Sequence, residues 1–107
     1  MSSVSPVLAC NMKAISAKQR PRYNDLTKLL RSAVRDRSEV SDGYVYKFDS
    51  MAMALPDVAE WITMERLCCP FLIFQLEVKG DGASQLTLRG PAGAKAILQE
   101  EFPVSYT

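Results

Sequence analysis

The sequence predicts one α+β domain, a two-layer sandwich in which a mainly antiparallel sheet of three or four strands is covered by about three helices. Its 107 residues, 48% hydrophobic and 23% charged, match the length and composition of one globular domain. Segments with strand and helix periodicity follow one another, and no repeat or linker divides residues 1–107. We therefore expect a single domain over residues 1–107 with the element order β-α-β-α-β-β-α.

The first part of the chain predicts a brief strand and a long helix. Ser5-Pro-Val-Leu-Ala-Cys10 is short and apolar, which is typical of a strand and would place a thiol near its end. Ser16-Ala-Lys-Gln19 has the form of a capping box. The residues that follow recur at helical spacing and predict a helix of about 20 residues: Tyr23, Leu26, Leu30, Ala33 and Val34.

The next strand is predicted from a turn signal and an alternating pattern. Asp42-Gly43 favours a turn, and the aromatic residues after it occupy every second position. This alternation places Tyr44, Tyr46 and Phe48 on one face of a strand. We interpret that face as core.

The second half of the chain predicts a helix, a β-hairpin and a last helix. A helix begins near Leu55-Pro56 and ends by Cys69, because Pro70 disfavours helical geometry at the residue before it. Residues 71–79 then alternate as a strand, and Gly80-Asp-Gly-Ala connects them to a partner strand at 84–89. A third helix follows Gly90-Pro91 and ends at Pro103.

The end of the second predicted helix combines an acid with two thiols. At about 100 degrees per residue, Glu65 falls on the same stripe as Val58, Trp61 and Cys69, so its carboxylate should be buried. Cys68 and Cys69 are adjacent, and Pro70 gives the backbone a reason to bend there.

Three cysteines without a histidine limit the chemistry of this corner. Histidine-dependent nucleophile activation and imidazole ligation are excluded. The odd count and the adjacent pair argue against a disulfide scaffold, and we expect reduced thiols. Our specific hypothesis is a soft-metal or metalloid site formed by Cys10, Cys68 and Cys69, with Glu65 as fourth ligand or neighbouring base. Zn(II) or another thiophilic ion would suit these ligands.

Two other functions remain open. The cysteines could be small core residues of a domain that binds a ligand or a partner without catalysis. Alternatively, the protein could be a thiol redox protein in which one cysteine attacks and another resolves. A helix C-terminus and the nearby Glu65 both oppose thiolate formation at the pair, and Arg66 is the nearest compensating charge.

Charge and hydropathy restrict the partners. Residues 1–40 carry eight basic and three acidic residues, but without aromatic interleaving or a binding motif, so we expect no nucleic acid partner. No apolar run approaches a membrane span and the start lacks a secretory signal, which predicts a cytoplasmic protein without membrane contact. A sheet face carrying Val45 and Ile73, or a free sheet edge, would suit a homodimer.

Several segments also resemble a protein family. The run Glu65-Arg-Leu-Cys-Cys-Pro-Phe-Leu72, together with Ala9-Cys10, the Asp42-Gly43-Tyr44 segment and Gly90-Pro91-Ala-Gly-Ala-Lys95, is similar to a small bacterial family that shares a Glu-Arg-x-Cys-Cys-Pro-Phe motif. The likeness covers nearly the whole chain. It implies that Cys10, Glu65, Cys68 and Cys69 act together, and it names no reaction.

Overall fold

A four-stranded antiparallel sheet and three helices form the domain. The computed structural model describes residues 8–102. The helices are α1 (Arg20–Ala33), α2 (Leu55–Cys68) and α3 (Ala94–Glu101), and a short 3-10 turn spans Met12–Ala14. The strands are β1 (Val34–Val40), β2 (Gly43–Asp49), β3 (Ile73–Val78) and β4 (Ala83–Arg89), arranged in the order β1-β2-β4-β3. The predicted α+β fold is therefore confirmed.

The core lies between the helices and the two central strands. Tyr44 pairs with Leu88 and Tyr46 with Leu86 across β2 and β4, and all four side chains are buried. The alternation predicted for the aromatic strand is thus confirmed, because its aromatic face is core. This hydrophobic layer gives α1, α2 and α3 a common surface to cover.

The order of the first elements differs from the prediction. The chain forms α-β-β-α-β-β-α, because α1 ends at Ala33 and Val34 begins β1. Residues 8–10 of the predicted first strand have no regular secondary structure, and residues 5–7 lie outside the described residues. The helix of about 20 residues is wrong in length, since α1 has 14.

The strand β1 is held by its partner and not by an apolar face of its own. Its sequence, Val34-Arg-Asp-Arg-Ser-Glu-Val40, places charged residues on both sides. The Arg37 guanidinium carbon lies 4.5 Å from the centre of the Tyr44 ring, and Lys95 of α3 pairs with Glu39. Polar contacts with β2 and α3 thus stabilise β1. Its sequence lacks the alternating hydrophobic pattern from which a strand is predicted.

Trp61 joins α2 to α1 and to the core. Its side chain is fully buried, and the ring meets Phe102 edge-on with centroids 5.7 Å apart. The indole Nε1 donates to Thr27 Oγ1 of α1 at 3.0 Å. This hydrogen bond satisfies the buried indole donor, so the face of α2 that carries Trp61 can point into the core. Glu65 lies on the same face, one helical turn later.

One edge of the sheet exposes apolar residues. On one face of the edge strand β3, Ile73 is 57% exposed, and on the other face Leu76 is 37% and Val78 43% exposed. A homodimer contact at this edge stays a prediction. No helix within residues 8–102 is long and apolar enough to cross a bilayer.

Gly43 is required where β2 approaches β4. A Cβ built on Gly43 would lie 1.8 Å from the carbonyl oxygen of Leu88, whereas one on Gly80 would have nothing within 4 Å. We expect Gly43→Ala to lower the free energy of unfolding by about 1–3 kcal/mol, because the paired backbones must separate. Urea unfolding of Gly43→Ala beside Gly80→Ala measures this, and equal stability of the two variants would contradict it.

Candidate functional site

The site is built at the C-terminal end of α2. The Cys69 N–H donates to the Glu65 carbonyl at 2.7 Å and so closes the last helical turn. The Cys69 carbonyl accepts from Leu72 N–H at 3.1 Å, which turns the chain around Pro70 toward β3. The helix end and the bend predicted from Pro70 are confirmed, and they fix both cysteines at one corner.

The segment before α1 crosses this corner. Asn11 N–H donates to the Cys68 carbonyl at 2.8 Å, one of the carbonyls that a helix end leaves without an intrahelical donor. Ile15 is fully buried, and Arg20 Nε donates to its carbonyl at 3.0 Å. These contacts place Cys10 directly over the end of α2.

Cys10 and Cys69 form a disulfide. Their Cα atoms are 4.6 Å apart, although 59 positions separate them in the sequence. The expectation that all three thiols are reduced is therefore wrong, because the segment before α1 crosses the end of α2 and brings Cys10 within bonding distance of Cys69. Cys68 is the free cysteine, and its sulfur lies 3.8 Å from that of Cys69.

All four predicted site residues meet at this corner. The sulfurs of Cys10, Cys68 and Cys69 lie within 4.8 Å of one another. The same limit holds among the Cys69 sulfur, a Glu65 carboxylate oxygen and a carboxylate oxygen of Glu101 in α3. In the disulfide state, two of the three sulfurs are bonded to each other and are not thiolate ligands.

Glu65 is fully buried, as its position on the apolar stripe of α2 predicts. The Tyr23 hydroxyl donates to Glu65 Oε1 at 2.5 Å and also lies 3.3 Å from Glu101 Oε1. Glu65 Oε2 is buried and has no hydrogen-bond partner within residues 8–102. A carboxylate so poorly solvated favours its neutral form.

The surroundings of Glu65 keep it protonated near neutral pH. Burial, and after it the neighbouring Glu101 carboxylate, raises the pKa of Glu65 to about 9. The hydrogen bond from Tyr23 and the charge of Arg31 act in the opposite direction on this pKa. The pKa of Tyr23 is also raised, first by burial and then by Glu65, so its hydroxyl keeps its proton.

Cys68 is a protonated thiol at neutral pH. Burial, and after it the carboxylates of Glu65 and Glu101, raise its pKa to about 11, against the opposing effect of the Asn11 backbone. Its sulfur contacts Met12 Sδ at 3.7 Å. The prediction that the local environment opposes thiolate formation at Cys68 is confirmed.

A cavity of about 600 Å³ opens beside the disulfide. The segment 8–12, α1, the end of α2 and α3 form its walls. Cys10 and Cys68 line it, whereas Cys69 is fully buried. The two sulfurs of the disulfide therefore differ in access: one faces the cavity and the other faces the interior next to Glu65.

Sequence reasoning missed three residues of the site. Tyr23 appeared only as part of the helical core stripe, and Arg31 and Glu101 lie near predicted helix ends without a motif. The structure brings them to the cavity wall beside Cys10, and Arg31 Nε donates to the Glu101 carbonyl at 2.6 Å. No local pattern distinguishes these residues from ordinary core or surface positions.

No family model, curated protein or solved structure matches the chain. The similarity to the Glu-Arg-x-Cys-Cys-Pro-Phe family therefore stays a prediction.

Proposed function

We propose that the protein is a thiol–disulfide redox protein whose Cys10–Cys69 pair exchanges electrons with a small thiol or disulfide in the cavity. The observation that carries this proposal is the unequal placement of the two sulfurs, with Cys10 on the cavity wall and Cys69 buried beside Glu65. A small nucleophile can reach Cys10, and Cys69 is then the leaving group.

The reaction balances with two molecules of a small thiol. A thiolate attacks Cys10 Sγ, the Cys10–Cys69 bond breaks, and Cys69 leaves as a thiolate while a mixed disulfide forms on Cys10. Glu65, protonated near neutral pH, is placed to donate a proton to the Cys69 thiolate. Its carboxylate then takes up a new proton from solvent. A second thiolate attacks the small-molecule sulfur, releases the oxidised disulfide and leaves Cys10 to take up a proton.

The proposed cytoplasmic location is consistent with this cycle. Disulfides in reducing compartments are usually transient and serve catalysis or redox sensing. A protein that works there would return its Cys10–Cys69 bond to two thiols in each cycle. A purely structural bond would resist reduction instead.

Equilibration in glutathione buffers, followed by alkylation and mass spectrometry, tests the proposal. We expect Cys10 and Cys69 to convert together with a potential between about −270 and −180 mV, the range of exchange-active proteins. Cys68 should be alkylated only in unfolded protein. A potential below about −300 mV would identify a structural bond and end the redox proposal.

Cys69→Ser tests the assigned roles, with Cys68→Ser as its matched control. We expect Cys69→Ser to accumulate a mixed disulfide on Cys10, because the sulfur that displaces the adduct is gone and the remaining buried sulfur, that of Cys68, keeps its proton at neutral pH. Cys68→Ser should keep the Cys10–Cys69 bond and its potential. An adduct on Cys68 in Cys69→Ser would mean that the reacting sulfur has been assigned wrongly.

A second candidate function is thiophilic ion binding by the reduced protein. The mutual approach of the three sulfurs within 4.8 Å favours it, since Zn(II), Cu(I) and trivalent metalloids bind thiolates. Cys10, Cys68 and Cys69 would supply the sulfurs, and Glu65 would lie next to the ion. Such a site exists only after the disulfide is reduced.

Titration of reduced protein with Cu(I) under argon tests ion binding. We expect a thiolate charge-transfer band that saturates at one ion per chain and disappears in Cys68→Ser. The same titration of the disulfide form is the control, and it should give no band. A band of equal size in both forms would exclude the three-thiolate site.

A further inference from the structure

Two helices bring opposite charges to the cavity beside Cys10. Lys28 and Arg31 extend from α1 into its lining, and Glu100 and Glu101 come from α3. The cavity therefore offers cationic and anionic groups to the same bound molecule. A ligand with a single charge would leave one of these groups without a counterpart.

Several of these groups have no partner within the protein. Among residues 8–102, the side chains of Lys28, Glu100 and the neighbouring Asn24 make no hydrogen bond or ion pair. Arg31 uses only its Nε, for the Glu101 carbonyl, so the two terminal nitrogens of the guanidinium can receive a ligand. Planar guanidinium groups suit carboxylates, and Lys28 adds a second cation.

The size of the cavity suits a small molecule, because about 600 Å³ lies in the range of small-molecule sites. Leu8, Met12 and Ile97 add apolar surface to the lining of the cavity. A molecule of amino-acid or short-peptide size fits these dimensions.

We propose that the substrate of the Cys10–Cys69 pair is a zwitterionic low-molecular-mass thiol of amino-acid or short-peptide type, together with its disulfide. This inference rests on the proposed redox function. The carboxylate of the substrate binds Lys28 and Arg31, its ammonium group binds Glu100, and its thiolate meets Cys10 Sγ. The bond changes are those of the exchange given above, so each protein disulfide that is reduced oxidises two substrate thiols.

Rates of reduction with four small thiols test the charge preference. Cysteine is the zwitterionic probe, 3-mercaptopropionate the anionic one, cysteamine the cationic one and 2-mercaptoethanol the neutral one. Each rate is divided by the thiolate fraction and corrected for thiol basicity. We expect cysteine to react about tenfold faster than 2-mercaptoethanol, because two partly exposed charge contacts together contribute about 1.4 kcal/mol.

Two charge-removing variants separate the two contacts. Lys28→Gln should slow cysteine and 3-mercaptopropionate and leave cysteamine and 2-mercaptoethanol unchanged. Glu100→Gln should slow cysteine and cysteamine and leave the other two unchanged. Lys18→Gln, an exposed position outside the cavity, is the control for net charge and should change none of the four rates.

The possible results distinguish this inference from the redox function on which it rests. Equal corrected rates for all four thiols, with exchange still reversible, would overturn the zwitterionic substrate and leave the redox function standing. A preference for 3-mercaptopropionate equal to that for cysteine would also overturn it, since the ammonium contact would then contribute nothing. Failure of every thiol to reduce the bond would overturn both.

Discussion

Cys10→Ser should lower the free energy of unfolding by about 4 kcal/mol under oxidising conditions. The Cys10–Cys69 bond closes a loop across 59 positions, and loop-closure entropy in the unfolded chain gives about this value for such a length. Cys10 is only partly buried, so replacing its sulfur by a hydroxyl adds little packing loss. Urea unfolding, monitored by the fluorescence of the buried Trp61, measures the change.

Reduced wild-type protein is the matched control for Cys10→Ser. It keeps every side chain and loses only the bond, so its unfolding midpoint should fall to that of the variant. Cys68→Ala, which removes a buried sulfur outside the disulfide, should respond to reductant as strongly as the wild type does. Indifference of wild-type stability to reductant would show that the bond contributes nothing.

Glu65→Gln should remove a large loss of stability at alkaline pH. The unfolded chain ionises Glu65 near 4.5, whereas the folded protein holds its proton up to about 9. Between these values the folded state binds more protons than the unfolded state, so the free energy of unfolding falls as pH rises. Each pH unit corresponds to about 1.4 kcal/mol, so the loss in the free energy of unfolding across this interval is at most about 6 kcal/mol.

Stability curves of both proteins between pH 5 and pH 9 measure this effect. Glutamine has nearly the same shape as the protonated acid and can still accept from the Tyr23 hydroxyl, so the variant should resemble the wild type near pH 5. Its advantage should then grow with pH to several kcal/mol. Glu77→Gln, on an exposed strand position, is the control and should follow the wild type throughout. Parallel curves for wild type and Glu65→Gln would mean that Glu65 is ionised in the folded protein.

Much of the fold could be predicted because its patterns are local. The aromatic alternation of β2, the β3–β4 hairpin and the limits of α2 each depend on residues that are neighbours in the chain. The strand β1 could not be predicted, because its charged sequence has no apolar face and its stability comes from pairing with β2. The predicted first helix also ran past the end of α1, because Val34 fits the helical stripe as well as it fits a strand.

The acid at the corner could be predicted, but its partners could not. Helical periodicity alone placed Glu65 on the buried stripe of α2. Tyr23 and Glu101, which contact or approach it, lie 42 and 36 positions away on other helices. Their meeting depends on how three helices pack on one sheet, and no spacing in the sequence encodes that.

The sequence by itself determined an α+β domain with an inward acid and two thiols where Pro70 bends the chain. Only the tertiary structure decided that Cys10 bonds Cys69 and leaves Cys68 free. The physical reason is that a helix and its bend are set by local backbone preferences, whereas a bond between residues 59 positions apart requires the segment 8–12 to lie across the end of α2. Because of this crossing, the sulfur of Cys10 faces the cavity and the sulfur of Cys69 lies next to Glu65.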